Sequence, residues 1–114
     1  MAIITDAQIN DWLESAASYT IMILSTTARY TAAPDRREIE WEHARRTISL
    51  HADGITPIVC PARSDGDLAG VGIFAADPDR TARIMDGDPM VQAGLYSYEV
   101  HPCRSKPGSV LPPS

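Results

Sequence analysis

The run Tyr-Thr-Ile-Met-Ile-Leu-Ser-Thr, residues 19–26, constrains the fold of this chain more than any other stretch. It is β-branched and almost continuously apolar, the pattern of a strand covered on both faces. Such a strand needs neighbours in a sheet and layers over it, and the flanking sequence supplies candidates for both. Pro34 and Asp35 mark a helix start; the predicted helix runs from about Arg36 to Asp53, where Gly54 stops it. Ile55 to Val59 reads as a second strand ending in Cys60-Pro61. Ser64-Asp65-Gly66-Asp67 is turn chemistry, so Leu68 to Ala76 is expected to pair back as a hairpin partner. Asp77-Pro78-Asp79 is a helix entry, with a capping Asp, Pro at the first position and an acid near the positive helix end. That helix ends near Asp86-Gly87, and after Asp88-Pro89 the stretch Gly94 to His101 alternates as a fourth strand.

The order is β-α-β-β-α-β, the split βαβ arrangement of α+β, ferredoxin-like domains, in which two helices cover one sheet face. Residues 1–18 form a helical extension in front of it. Thr5 or Asp6 can cap that helix, and Ile9, Trp12, Leu13 and Ala16 recur at helical spacing. The domain proper spans residues 19–103. The tail from residue 104 to 114 carries Pro107, Pro112 and Pro113 and reads as an extended or disordered arm. No helix is left for the second sheet face. The Ile and Met residues of the first strand, with Tyr96, Tyr98 and Val100 of the last, are expected to be partly exposed there. An uncovered apolar face of that kind marks an association surface, so a homodimer through the open sheet is expected.

The 114 residues fit one domain. A net charge of −5 with scattered Lys and Arg argues against nucleic acid as a partner, since counterion release needs clustered cations. No apolar run approaches the ~20 residues of a membrane-spanning helix, and the N-terminus lacks the order of a secretion signal. Cys60 and Cys103 form neither a disulfide framework nor a CxxC pair, which reads as a cytoplasmic protein with reduced thiols.

At about 100° per residue, the first long helix groups Glu38, Glu42, Arg45, Ser49 and Asp53 on one polar face. The opposite arc contains Ile39, Trp41, Ala44, Ile48, Leu50, Ala52 and Ile55, and with them three ionisable residues, Glu40, His43 and His51. Burying ionisable groups is costly unless they are paired or used. They are either rim residues reaching solvent or a polar seam shown to the sheet. His43 is the candidate proton carrier, because imidazole exchanges protons near neutral pH. Glu40, one turn earlier, is placed to orient or tune it, whereas His51 reads as structural. Asp88 has two readings: a cap on the turn led by Pro89, or a carboxylate facing the first helix that holds one tautomer of His43. Spacing alone does not choose between them.

The segment Asp86-Gly87-Asp88-Pro89-Met90-Val91-Gln92-Ala93-Gly94-Leu95 resembles the D-P-F-V-x-A-G-L stretch that closes YCII-related (YciI-like) domains, with Met90 in place of the usual aromatic residue. Glu42-His43-Ala44-Arg45 is similar to the family's E-H-L-x-x-L histidine region, and the resemblance covers about residues 19–103. It implies a dimeric α/β barrel with a pocket centred on a His–Asp pair, the histidine falling on His43 and the aspartate on Asp88. It also implies acid–base or lyase-type chemistry on a small molecule. Three departures stand out. Val59-Cys60-Pro61 replaces Ala-Gly-Pro, so Cys60 either narrows the pocket or packs as a small buried hydrophobe. Arg45, Arg46 and Thr47 make the helix more polar after the histidine. Both termini lie outside the family core.

Glu40, His43, His51, Cys60, His101 and Cys103 do not form the compact ligand pairs of a zinc site. No G-x-S-x-G elbow and no Rossmann or Walker glycine pattern is present, and Gly70-Val71-Gly72 reads as a place for close helix packing. Two function classes follow. One is an enzyme needing no cofactor or metal, in which His43 is general base or acid, Asp88 orients it, and Glu40, Cys60 and Thr47 support it or contact a small, cyclic substrate. The elimination, isomerisation or proton abstraction it performs is not specified by the residues. The other is a non-catalytic ligand-binding or accessory subunit that kept the fold.

Overall fold

A computed structural model describes all 114 residues. In chain order the elements are α1 (Asp6–Ser15), β1 (Ala17–Thr26), a 3-10 turn at Tyr30–Ala32, α2 (Arg36–Ala52), β2 (Ile58–Pro61), β3 (Leu68–Phe74), α3 (Pro78–Asp86), α4 (Pro89–Gln92) and β4 (Tyr96–Ser105). The four strands form one sheet in the order β2-β3-β1-β4, every neighbouring pair antiparallel. This is the ferredoxin-like α+β arrangement expected from the sequence, with α1 in front.

The helix entries follow their local chemistry. Thr5 and Gln8 form a capping box on α1, and Asp77 accepts from the Arg80 amide at 2.7 Å with Pro78 at the first position of α3. Several boundaries differ from the expected ones, three of them for a clear local reason. The second strand starts at Ile58 rather than Ile55, because the Ile55 and Thr56 amides turn back to the Leu50 carbonyl (3.0 and 3.3 Å) and complete the end of α2, with Gly54 at φ 76°. The Pro89 turn is a full helical turn, α4, because the Asp88 side chain caps it. The fourth strand continues past His101 to Ser105, paired with Ala17. Pro102 is tolerated in it because β4 is an edge strand.

Met22, Leu24, Phe74 and Met85 form the buried core, with Tyr96, Tyr98 and Val100 packed against it. The register therefore reverses part of the expected sidedness. Val100 lies opposite Met22 and Tyr98 opposite Leu24, so these residues share the helix-covered face. The open face instead carries Ile21 and Ile23 of β1, Ile58 of β2, and Val71 and Ile73 of β3, all half-buried. Within one chain β1 is thus covered on one face only, the face of Met22 and Leu24 on which the helices pack. Helix α1 buries no residue. Ile9, Trp12 and Leu13 on it are exposed, and the Arg104 guanidinium holds its end by donating to the Leu13 and Ala16 carbonyls at 3.1 Å.

Tyr98 stitches β4 to α3. Its hydroxyl meets the Ala82 carbonyl at 3.2 Å and the Asp86 carboxylate at 2.5 Å. The Asp86 hydrogen bond, with burial and the Asp86 charge, raises its pKa from 10.0 to about 12. A raised folded-state pKa gives stability that is complete below the unfolded value and lost as the phenol ionises. Thermal melts should therefore show the native chain losing stability between pH 10 and about 12, and Tyr98→Phe should show a shallower loss over that window from a lower starting Tm.

Candidate active site

Helix α2 packs against α4 and the edge strand β2 and turns its polar seam inward. Glu38, Glu42, Arg45, Ser49 and Asp53 are exposed, as the helical spacing predicts. Trp41 and Ile48, expected to face the sheet, are 68% and 67% exposed. The reason is that α2 is held by polar bonds on the face that carries Glu40, His43, Arg46 and Thr47, which leaves Trp41 and Ile48 to one side of it, Ile48 at the edge of the cavity below the helix. None of its residues is fully buried.

Between this face and the sheet lies a cavity of about 430 Å³. Met22, Leu24, Val59, Phe74 and Met85 give it apolar walls, and Gly70 and Gly72 form part of its floor. A Cβ at Gly72 would lie 3.2 Å from the Phe74 ring and 3.4 Å from the Thr56 methyl. The glycines therefore leave the cavity open instead of drawing α2 close, correcting the expected packing role.

At one end of the cavity, His43 Nδ1 stands 2.6 Å from Asp88 Oδ1. Asp88 is 2% exposed, and its Oδ2 accepts from the Met90 and Val91 amides at 3.0 and 3.3 Å. The two readings of Asp88 are thus one arrangement: one oxygen caps α4 and the other meets the histidine. A carboxylate can only accept, so in a pair with it Nδ1 is the donor, and Nε2 is the ring nitrogen outside this contact, on a side chain that lines the cavity. The Tyr96 ring stands edge-on to the imidazole, with centroids 5.3 Å apart.

Glu40 lines the same cavity but is partnered away from His43. Its carboxylate accepts from the Tyr30 hydroxyl and lies 4.0 Å from Arg36 Nε. Tyr30 stacks on Tyr96 at 5.8 Å, and the Arg36 guanidinium lies 4.5 Å from the Tyr30 ring centre. The hydrogen bond to Glu40, then burial and the Glu40 charge, raise the Tyr30 pKa. Burial first, then the charges of Tyr30, Glu40 and Asp88, raises that of Tyr96. Both phenols are kept as neutral O–H groups, Tyr96 beside His43 and Tyr30 behind it.

Thr47 lines the cavity. Cys60 is exposed on β2, which excludes the buried-hydrophobe reading, and pairing opposite Val71 puts it on the open sheet face rather than the cavity side, which corrects its expected role in the pocket. His51 is exposed, with Nδ1 donating to the Thr56 carbonyl at 3.0 Å, a structural role as expected. His101 pairs with Glu99 on the surface. No group of three or more His, Cys, Asp or Glu side chains is gathered to hold a metal ion. Tyr30, Arg36, Thr56 and Tyr96 join the site without having been singled out in the sequence as site residues, and Arg46, noted there only as a polar departure in the helix, lines the cavity too. Tyr96 carried a signal, its place in an alternating strand, and that signal gave the spacing but not the side.

No family model matches the chain, and no curated protein is similar to it. Solved structures are. One is 5-chloro-2-hydroxyhydroquinone dehydrochlorinase from Burkholderia phenoliruptrix AC1100, determined in complex with 2,5-dihydroxybenzoquinone. The likeness covers 75% of this chain and 91% of that one, with a TM-score of 0.54 and 18% sequence identity. The shared property is the ferredoxin-like fold.

Asparagine can keep the α4 cap through its carbonyl, but then turns an amide donor toward His43. Asp88→Asn should therefore leave a folded protein in which the imidazole proton has moved from Nδ1 to Nε2, read directly from the ring ¹⁵N shifts.

Proposed function

We propose that this chain is a cofactor-independent, small-molecule enzyme of the YCII-related type, in which His43 is the general base or acid and Asp88 holds its tautomer. The observation that carries this reading is the 2.6 Å His43–Asp88 contact at the end of an apolar cavity. A buried carboxylate behind one ring nitrogen, with the other nitrogen left for a substrate, is the arrangement that acid–base catalysis by histidine requires. Apolar walls keep water from competing for the proton.

The fold neighbour is named for loss of chloride from a hydroxyhydroquinone, and elimination is the reaction class this site suits. Nε2 takes a proton from substrate, the electron pair released forms the new π bond, and the leaving group departs with its own pair. The neutral phenol of Tyr96 beside the histidine, backed by the Tyr30 ring, suits an oxygen-rich ring. Glu40 then acts by placing Tyr30 rather than by tuning His43, and Thr47 contacts substrate from the wall. We further propose a homodimer closed through Ile21, Ile23, Ile58, Val71 and Ile73, which would cover the second face of β1. The unpaired thiols of Cys60 and Cys103 fit a reducing, cytoplasmic setting. No helix is long and apolar enough to cross a membrane.

With 5-chloro-2-hydroxyhydroquinone as the first substrate tried, His43→Gln should lower turnover by ~10²–10⁴-fold with an unchanged Tm. Turnover within a few-fold of native overturns the proposal, and native binding without turnover makes the chain a binding subunit. For the assembly, sedimentation should give a dimer for the native chain and a folded monomer for Ile23→Lys.

A further inference from the structure

Tyr98, Tyr30 and Tyr96 use their hydroxyls differently. That of Tyr98 is bonded to the Ala82 carbonyl and the Asp86 carboxylate, and that of Tyr30 donates to Glu40. The hydroxyl of Tyr96 makes neither kind of bond. Tyr30, stacked against it, has its proton turned to Glu40 and offers Tyr96 none. The wall atoms that are fully enclosed without a partner are Arg46 Nη1 and the Thr56 hydroxyl, so the unbonded hydroxyl of Tyr96 is an open one on a residue that lines the cavity.

Its neighbour gives it a chemistry. Of the residues that line the cavity, Tyr96 is the one whose ring stands against the imidazole of His43, centroids 5.3 Å apart. Burial first, then the charges of Tyr30, Glu40 and Asp88, hold the phenol neutral. It therefore donates a hydrogen bond without surrendering its proton. A base that takes a proton from carbon leaves an electron pair behind, and among apolar walls that charge needs a donor already in place.

We propose that Tyr96 is a catalytic residue of the His43 site, donating a hydrogen bond to the substrate oxygen on which negative charge gathers as His43 takes a proton from the adjacent carbon. This rests on the reading of the cavity as an acid–base site and deepens it. The substrate class is a ring in which the carbon that loses its proton lies next to a carbonyl. The C–H electron pair becomes a C=C bond, the carbonyl π pair moves onto oxygen, and the proton stays on Nε2. In the elimination that follows, the oxygen pair re-forms C=O and the C=C pair shifts one bond along. The leaving group departs from the β carbon with its own pair.

Tyr96→Phe keeps the ring on Tyr30 and against His43, and removes one oxygen. Its Tm and the His43 tautomer, read from ring ¹⁵N shifts, should match native. Calorimetry with 2,5-dihydroxybenzoquinone, an acidic enol, as probe should show binding weakened by about tenfold or more. With 5-chloro-2-hydroxyhydroquinone, kcat should fall ~10²–10³-fold at a nearly unchanged KM, the mark of a bond made in the transition state. In the native chain, the Tyr96 ring signals should shift when the probe is added. Unshifted signals, or no binding by the native chain, overturn the proposal whether or not the variant folds. So do equal binding or kcat within a few-fold of native in Tyr96→Phe, or a changed His43 tautomer, which would mean that Tyr96 acts through the histidine. The probe needs no turnover and Tyr96→Phe leaves His43 and Asp88 in place, so the turnover of His43→Gln decides the proposed function separately.

Discussion

The carboxylate of Asp88 is the point on which this structure turns. A charge removed from water is tolerated only where its oxygens are satisfied, and here each oxygen is answered by a different element. The Met90 and Val91 amides at the start of α4 take Oδ2, and His43 on α2 takes Oδ1. One turn of helix led by Pro89 is enough to present two amides to one oxygen. Arg46, one turn after His43, makes a parallel stitch to the Ile84 carbonyl at the end of α3, at 2.7 Å. Gly87 makes room for it, since a Cβ there would lie 2.8 Å from the Arg46 Nη2 atom. The corner from Ile84 to Asp88 is thereby tied to α2 at two points.

Much of this was legible where the signal is local. The Asp77-Pro78 entry of α3, the Gly54 stop after α2, and the hairpin joining β2 to β3 are each written in a few neighbouring residues whose chemistry acts on their own backbone. What could not be read is sidedness. The alternation at Tyr96, Tyr98 and Val100 puts them on one face of β4, but only the packed helices decide which face that is. Trp41 and Ile48 show the same limit on α2: periodicity separates the two sides of a helix, and burial then goes to whichever side is bonded to the rest. The cap and the histidine partner at Asp88 looked like rival readings because spacing treats a side chain as one group. A carboxylate has two oxygens.

The polar face of α2 also explains how a small domain keeps a cavity. An amphipathic helix that docks by its apolar side settles until its side chains fill the space beneath it. Here α2 meets the rest of the chain through His43 to Asp88, Arg46 to the Ile84 carbonyl, Glu40 to Tyr30, and the Leu50 carbonyl to the Thr56 amide. These contacts have set lengths and act as struts, holding the helix above a floor whose glycines offer no side chain to meet it. Burial alone would have closed the gap. The bonds that keep it open are made by residues that line the space or flank it, so at this site the groups that stabilise α2 and the groups available to a ligand are largely the same.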